Sequence, residues 1–121
     1  MKLGPAGERD AQKHLEKKGY KFIDRNFLTR WGEVDLIMES SDGTVVFVEV
    51  KSRVRTQVGS PLEQIDQDKM SHLKRAIEVY LHQRGWDERQ ARLDAVGITY
   101  ELLGDGMAAV KFEHVEDLTG W

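Results

Sequence analysis

Asp35, Glu49 and Lys51 are the residues whose types and spacing could do chemistry. Thirteen residues separate the two acids, and one separates Glu49 from Lys51. The stretch that holds them, Gly32 to Arg53, reads GEVDLIMESSDGTVVFVEVKSR. It predicts two strands joined by a short turn. Val34, Leu36 and Met38 alternate with Glu33, Asp35, Ile37 and Glu39, and a β-branched run from Val45 to Lys51 follows the turn residues Ser40, Ser41, Asp42 and Gly43. Successive strand side chains point to opposite faces, so Val45, Phe47, Glu49 and Lys51 share one face. With a connecting loop of about five residues, Met38 opposes Val46 and Asp35 lies across from Glu49.

Two carboxylates at the end of an apolar hairpin repel in a low-dielectric setting. One must take a proton, or both must share a cation. A hard divalent cation bound by carboxylate and carbonyl oxygens, Mg²⁺ or Mn²⁺, resolves the conflict, with the Val50 carbonyl as a further donor. Lys51 could then aim its ammonium at an anionic substrate. The pattern D-x(13)-E-x-K suits metal-dependent phosphodiester cleavage, which needs metal ligands and a charge-stabilising lysine. The rival reading is a buried salt-bridge cluster. Two acids and one lysine leave an excess negative charge and a poorly satisfied carboxylate, which counts against it.

The elements that must position these residues follow in order. A first helix is predicted from Gly7 to Lys18, ending at Gly19, with Glu8, Ala11 and Leu15 on one face. Glu8 is either a wet first-turn acid favoured by the helix dipole, or a third ligand or supporting carboxylate of the metal. Tyr20 to Phe27 reads as the first strand. Arg25, Arg30 and Trp31 form either a basic and aromatic flank for a phosphate backbone or a packed tryptophan among solvated arginines. Ser52 to Ser60, with Arg53 and Arg55, reads as a mobile loop beside the site whose arginines suit phosphate contact.

Pro61 to Ile65 reads as a short turn or helical entry, and a long helix follows from about Asp66 to Arg84, ending at Gly85. Met70, Leu73, Ile77, Tyr80 and Leu81 give its apolar face, and Lys69 precedes Leu73, Ala76 and Tyr80 on that face. A lysine in a first turn is disfavoured by the dipole, so something anionic belongs beside it, either a site carboxylate or a bound phosphate. His72 and His82 fall off this face and read as solvated. Two further strands are predicted, Ala91 to Tyr100 and Met107 to Val115, around the turn residues Leu103 to Met107. Arg92 and Asp94 share a face and read as an ion pair. The tail, Glu116 to Trp121, is expected to fray.

These residues also carry a resemblance. Asp35 with Glu49-Val50-Lys51 resembles the core motif of the PD-(D/E)XK, or restriction-endonuclease-like, superfamily, with Val34 standing where the short motif has proline. The chain further resembles the YraN family of small bacterial proteins, itself similar to archaeal Holliday-junction resolvases. The matching pieces are Gly7-Glu8, Gly32 to Ile37, Phe47 to Arg53, Lys69 and Arg92-Leu93-Asp94. The resemblance implies an α/β, three-layer core with a mixed sheet of about five strands flanked by helices. It implies Asp35, Glu49, Val50 and Glu8 as Mg²⁺ or Mn²⁺ ligands and Lys51 as catalytic. Branched DNA and a homodimer are the substrate and assembly it suggests. Arg30, Arg53, Arg55 and Lys69 are the expected nucleic-acid contacts.

Length and composition set the outer bounds. A chain of 121 residues fits a single nuclease-like domain, residues 1–121. There is no cysteine, so disulfides and thiolate metal sites are excluded, and a reducing cytoplasm is the expected compartment. No apolar run is long enough for a bilayer, and Met1 to Pro5 is too short and polar for a cleavable signal. The net charge of −3 weighs against a broadly basic nucleic-acid surface, so local placement must decide. Two other classes stay open: a non-cleaving nucleic-acid-binding module, and a protein-interaction domain on a nuclease fold.

Overall fold

The computed structural model describes residues 4–56 and 59–118. The chain runs α1 (Gly4–Lys17), β1 (Lys21–Thr29), β2 (Gly32–Glu39) and β3 (Val45–Val54), then a 3-10 turn at Pro61–Gln64, α2 (Gln67–Gln83), β4 (Ala91–Leu103) and β5 (Gly106–Val115). The strands form one sheet in the order β1-β2-β3-β4-β5. Only β3 and β4 are parallel, joined by the crossover through α2, and every other neighbour is antiparallel. This is the expected mixed sheet between two helices.

Period-two alternation sorts the core into two layers. Leu36, Met38, Val46 and Val48 pack with Ala11 and Leu15 of α1. Ile37, Val45 and Phe47 pack with Leu73, Ala76, Ile77 and Tyr80 of α2. The central strand β3 is therefore apolar on both faces, as a strand covered on both sides must be.

Local chemistry fixes the helix ends. Asp66 caps α2, its Oδ1 accepting the Lys69 N–H at 2.8 Å. Gly19, at φ 95°, lets the chain turn out of α1 while the Tyr20 N–H donates to Leu15 O at 3.1 Å. α1 starts at Gly4 rather than Gly7, with Pro5 in its first turn, where its missing N–H costs nothing. Glu8 is thus in the second turn, where the dipole offers a carboxylate little.

Two further expectations need correction. Ser52, Arg53 and Val54 are strand rather than loop, because each pairs with β4 as far as Val54 opposite Tyr100. The polar side chains of Ser52 and Arg53 mask a backbone that is held in the sheet. Gln57 and Val58 of the expected loop lie outside the described residues, as do residues 1–3 and 119–121. The start of the tail is pinned rather than frayed: the Leu118 N–H donates to Leu93 O at 2.7 Å, and the Asp117 N–H donates to Asp94 Oδ1 at 3.0 Å.

Candidate metal centre

The site forms where the sheet opens. The β2–β3 ladder keeps the expected register, Met38 opposite Val46, but its last pair is Leu36 with Val48. Both strands continue beyond that pair and part from one another. Alternation in β2 slips at the same place, since Val34 packs with Ile37 on the α2 side instead of with Leu36. Asp35 is the residue at the slip. Its Oδ2 reaches into the gap and accepts the Val50 N–H at 2.8 Å. The expected opposition of Asp35 and Glu49 holds as a proximity of side chains, one pair past the end of the ladder.

A cavity of about 360 Å³ occupies this fork, and Glu8, Asp35, Glu49, Val50, Lys51 and Lys69 all line it. The structure thus brings together every residue read as a ligand or catalytic group. Ala11 and Leu15 bury the α1 face, and that places half-buried Glu8 at the cavity. Gly7, beside it, allows close approach of helix to sheet, since a Cβ there would sit 2.6 Å from Ser52 Oγ.

Sequence reasoning missed Glu33. Carboxylate oxygens of Glu8, Glu33 and Asp35 all lie within 4.8 Å of one another. Asn26 holds the two glutamates, its Nδ2 donating to Glu8 Oε1 at 2.9 Å and to Glu33 Oε1 at 2.8 Å. Asn26 sits in β1 at φ 53°, a left-handed conformation that asparagine tolerates better than most residues. The signal was present in the sequence: Glu33 shares the strand parity of Asp35, and an asparagine interrupts a strand-like run.

Electrostatically the site is under-compensated. Glu49 is 3% exposed, and its Oε2 accepts no hydrogen bond among the described residues. Its compensation is charge alone, the Lys69 ammonium at 3.4 Å. That contact resolves the odd position of Lys69: Glu49 offsets the unfavourable dipole at the start of α2. Lys51 forms no ion pair among the described residues. Burial, followed by the hydrogen bonding and charge of Glu49, pushes the Asp35 carboxyl up to about 9, against a smaller opposing pull from the Val50 N–H. Four carboxylates face two ammonium groups.

The donor set fits a hard divalent cation. All candidate ligands are oxygens, the formal excess with every acid ionised is two negative charges, and the Oε2 of Glu49 is a buried acceptor without a hydrogen-bond partner among the described residues. Glu8, Asp35, Glu49, the Val50 carbonyl and Glu33 are the groups that could hold it.

The expected arginine contacts do not join the cavity. Arg30 is exposed and lies over the Trp31 ring at 4.6 Å. Arg53 Nη1 donates to Gly59 O at 2.9 Å, and Arg55 Nη1 pairs with Glu101 at 3.2 Å. Trp31 itself is half-buried, between the packed and exposed readings.

The Arg92–Asp94 ion pair forms as expected and belongs to a larger cluster. Arg92 Nε donates to Asp94 Oδ1 at 3.0 Å, and His114 Nε2 lies 2.8 Å from Asp94 Oδ2. Lys18 Nζ is 3.0 Å from His114 Nδ1, so the ring bridges Lys18 and Asp94 through its two nitrogens. Burial raises the Asp94 carboxyl, but the hydrogen bonds from His114, Arg92 and the Asp117 N–H outweigh it and hold the group below its ordinary value.

A mixed sheet between two helices, with acids and a lysine at the fork of its central strands, defines the restriction-endonuclease-like core. The chain belongs to the YraN family: residues 7–98 match the family described as "Uncharacterised protein family UPF0102". A UPF0102 protein of Syntrophomonas wolfei is 42% identical over 113 residues, covering 93% of each chain. One of Corynebacterium efficiens is 38% identical over 117 residues, covering 97% of this chain and 93% of its own. The solved structure of Pyrococcus furiosus SfsA in complex with Ca²⁺ overlays on 95% of this chain and 62% of its own, with a TM-score of 0.42 and 20% identity. Among the described residues no helix is long and apolar enough to cross a membrane.

Proposed function

We propose that this protein is a metal-dependent endonuclease that hydrolyses phosphodiester bonds of DNA, with branched DNA as the natural substrate. The observation that carries the reading is the buried Oε2 of Glu49, without a hydrogen-bond partner among the described residues, in a cavity it shares with Glu8, Asp35 and Lys51, with Glu33 beside the first two. A purely structural cluster could relieve the excess of negative charge only by holding a proton on Asp35, which a cation would displace. Bound Mg²⁺ or Mn²⁺ would supply Lewis-acid stabilisation of charge on the phosphate.

The chain's own residues have separable tasks. Asp35, Glu49 and the Val50 carbonyl, on rigid strands, would hold the cation, and Glu8 and Glu33, tied by Asn26, would add donors from α1 and β2. Lys51, on the same strand face as Glu49, is free to meet a phosphate oxygen or orient the attacking water. Lys69 holds Glu49 in place before metal arrives. Arg30, Arg53 and Arg55 would act on the flanking backbone outside the cavity. The single-domain chain would act in the cytoplasm as a homodimer, placing two such sites on one substrate.

The test is cleavage of labelled linear, single-stranded and four-way-junction DNA with Mg²⁺ or Mn²⁺ at low salt, with wild type, Asp35→Ala and Lys51→Ala side by side. Metal-dependent cleavage by wild type, lost in both folded variants, is the expected result. Salt-dependent binding without cleavage would replace the enzyme by a binding module.

A further inference from the structure

Outside the metal centre, an open groove of about 750 Å³ runs along the outer side of α2 against the turn between β1 and β2. Trp31 forms one wall, and Lys74, Arg75 and Val79 contribute from the helix. The catalytic reading above does not use it. Trp31 is a half-buried aromatic ring at the surface, carrying Arg30 at 4.6 Å and, more loosely, Arg75 at 6.0 Å. Glu78 is the one acidic residue among the groove's lining, so cations predominate there even though the chain as a whole is acidic.

We infer that this groove binds an unpaired segment of the DNA strand that enters the metal centre, with a base stacked on Trp31 and its phosphates met by Arg30, Lys74 and Arg75. The inference rests on the nuclease reading and adds the form of substrate: a strand with single-stranded character beside the cut. A flat π-face with guanidinium neighbours is what sequence-tolerant binding of single strands uses, because every base offers a face and every nucleotide a charge. The looseness of the Arg75 contact matters. Stacking on both sides of an inserted base needs about 7 Å at ~3.5 Å per contact, within reach of a small swing of the Arg75 side chain.

Position supports the same occupant. Lys69, at the metal centre, is six residues from Arg75 on α2, a rise of about 9 Å. Trp31 is four residues from Asp35, about 13 Å along an extended chain. Two separate elements thus place the groove a few nucleotides from the metal centre. Duplex DNA presents its base faces already stacked and cannot use the ring, so the groove discriminates for unpaired strand.

The experiment is binding of a labelled oligothymidine, measured by anisotropy at low salt without divalent metal, to wild type, Trp31→Ala, Trp31→Tyr and Arg75→Ala. Hairpin duplex and dextran sulfate serve as competitors. Thermal unfolding confirms that each variant is folded. Expected are a loss of about tenfold or more for Trp31→Ala, partial recovery in Trp31→Tyr and a smaller loss for Arg75→Ala. Undiminished oligothymidine binding by both folded Trp31→Ala and Arg75→Ala would overturn the groove while leaving the nuclease reading intact. Equal displacement by dextran sulfate and oligothymidine would also overturn it, as a surface that senses charge alone. No binding of oligothymidine by wild type would overturn the groove, and the cleavage assay with Mg²⁺ or Mn²⁺ would still decide the nuclease reading.

Discussion

Asp35→Asn probes the electrostatics of the metal centre most directly. Burial and Glu49 push the Asp35 carboxyl up to about 9, so the metal-free native state keeps a proton that the unfolded chain releases near the ordinary carboxylate value. The sign follows from linkage. Stability associated with this proton is fully present below about pH 4 and falls as pH rises towards the raised value, because the native state binds more protons than the unfolded one. At 1.36 kcal/mol per pKa unit, the metal-free wild type should lose on the order of 4 kcal/mol between pH 5 and pH 8 relative to Asp35→Asn. For a chain of this size that is roughly 15 °C in Tm. A divalent cation displaces the proton, so saturating Mg²⁺ or Mn²⁺ should raise the wild-type Tm most at high pH and leave Asp35→Asn nearly unmoved. The assay is thermal unfolding of both proteins from pH 5 to pH 8, with chelator and with metal. Parallel pH profiles for the two proteins, or equal metal protection of both, would refute the account of a proton and a cation competing for one site.

Three other substitutions test the surrounding scaffold. Lys69→Met removes the cation 3.4 Å from Glu49, and urea unfolding in chelator should show a loss of about 1–2 kcal/mol that saturating Mn²⁺ largely restores. Asp94→Asn leaves Arg92 without its buried counter-charge and weakens the acceptor that faces His114, and should cost about 3–5 kcal/mol by urea unfolding, without abolishing the metal-induced rise in Tm. Because the Asp94 carboxyl is held low, its contribution is present above the ordinary carboxylate value and lost as pH falls through the lowered one, so the variant should show a shallower acid transition. Gly97→Ala puts a Cβ 2.9 Å from Leu62 Cγ and 3.0 Å from Pro61 Cγ, and displacing the 3-10 turn should cost about 1–3 kcal/mol in the same assay.

Much of this protein is written in local pattern. Alternation and turn chemistry between Gly32 and Arg53 are enough to set the hairpin register, because a one-residue slip would turn every apolar side chain to the wrong face. The three- and four-residue steps from Lys69 to Tyr80 set which side of α2 meets the sheet, and so aim Lys69 at the site. Asp35, Glu49 and Lys51 were legible as a group because strand parity is a local property.

What the sequence could not settle depends on where backbones part and what lies across the gap. The end of the β2–β3 ladder at Leu36 and Val48 makes the cavity, and it follows from sheet twist and helix packing on both sides rather than from any residue type at the fork. Glu33 reads alone as a solvated strand residue. Only α1 and β1, folding over it, make it a partner of Glu8 through Asn26. Ser52 to Val54 read as loop because polarity is a weak guide to strand, and it was β4, distant in sequence, that supplied their hydrogen bonds. The tail residues Glu116 to Leu118 read as frayed for a related reason: their anchors, Arg92, Leu93 and Asp94, are remote in the chain. Residue types and their periodicity determined which chemistry was available, and tertiary structure decided which charges had to share one enclosure, since burial is a property of the assembled layers and not of the chain.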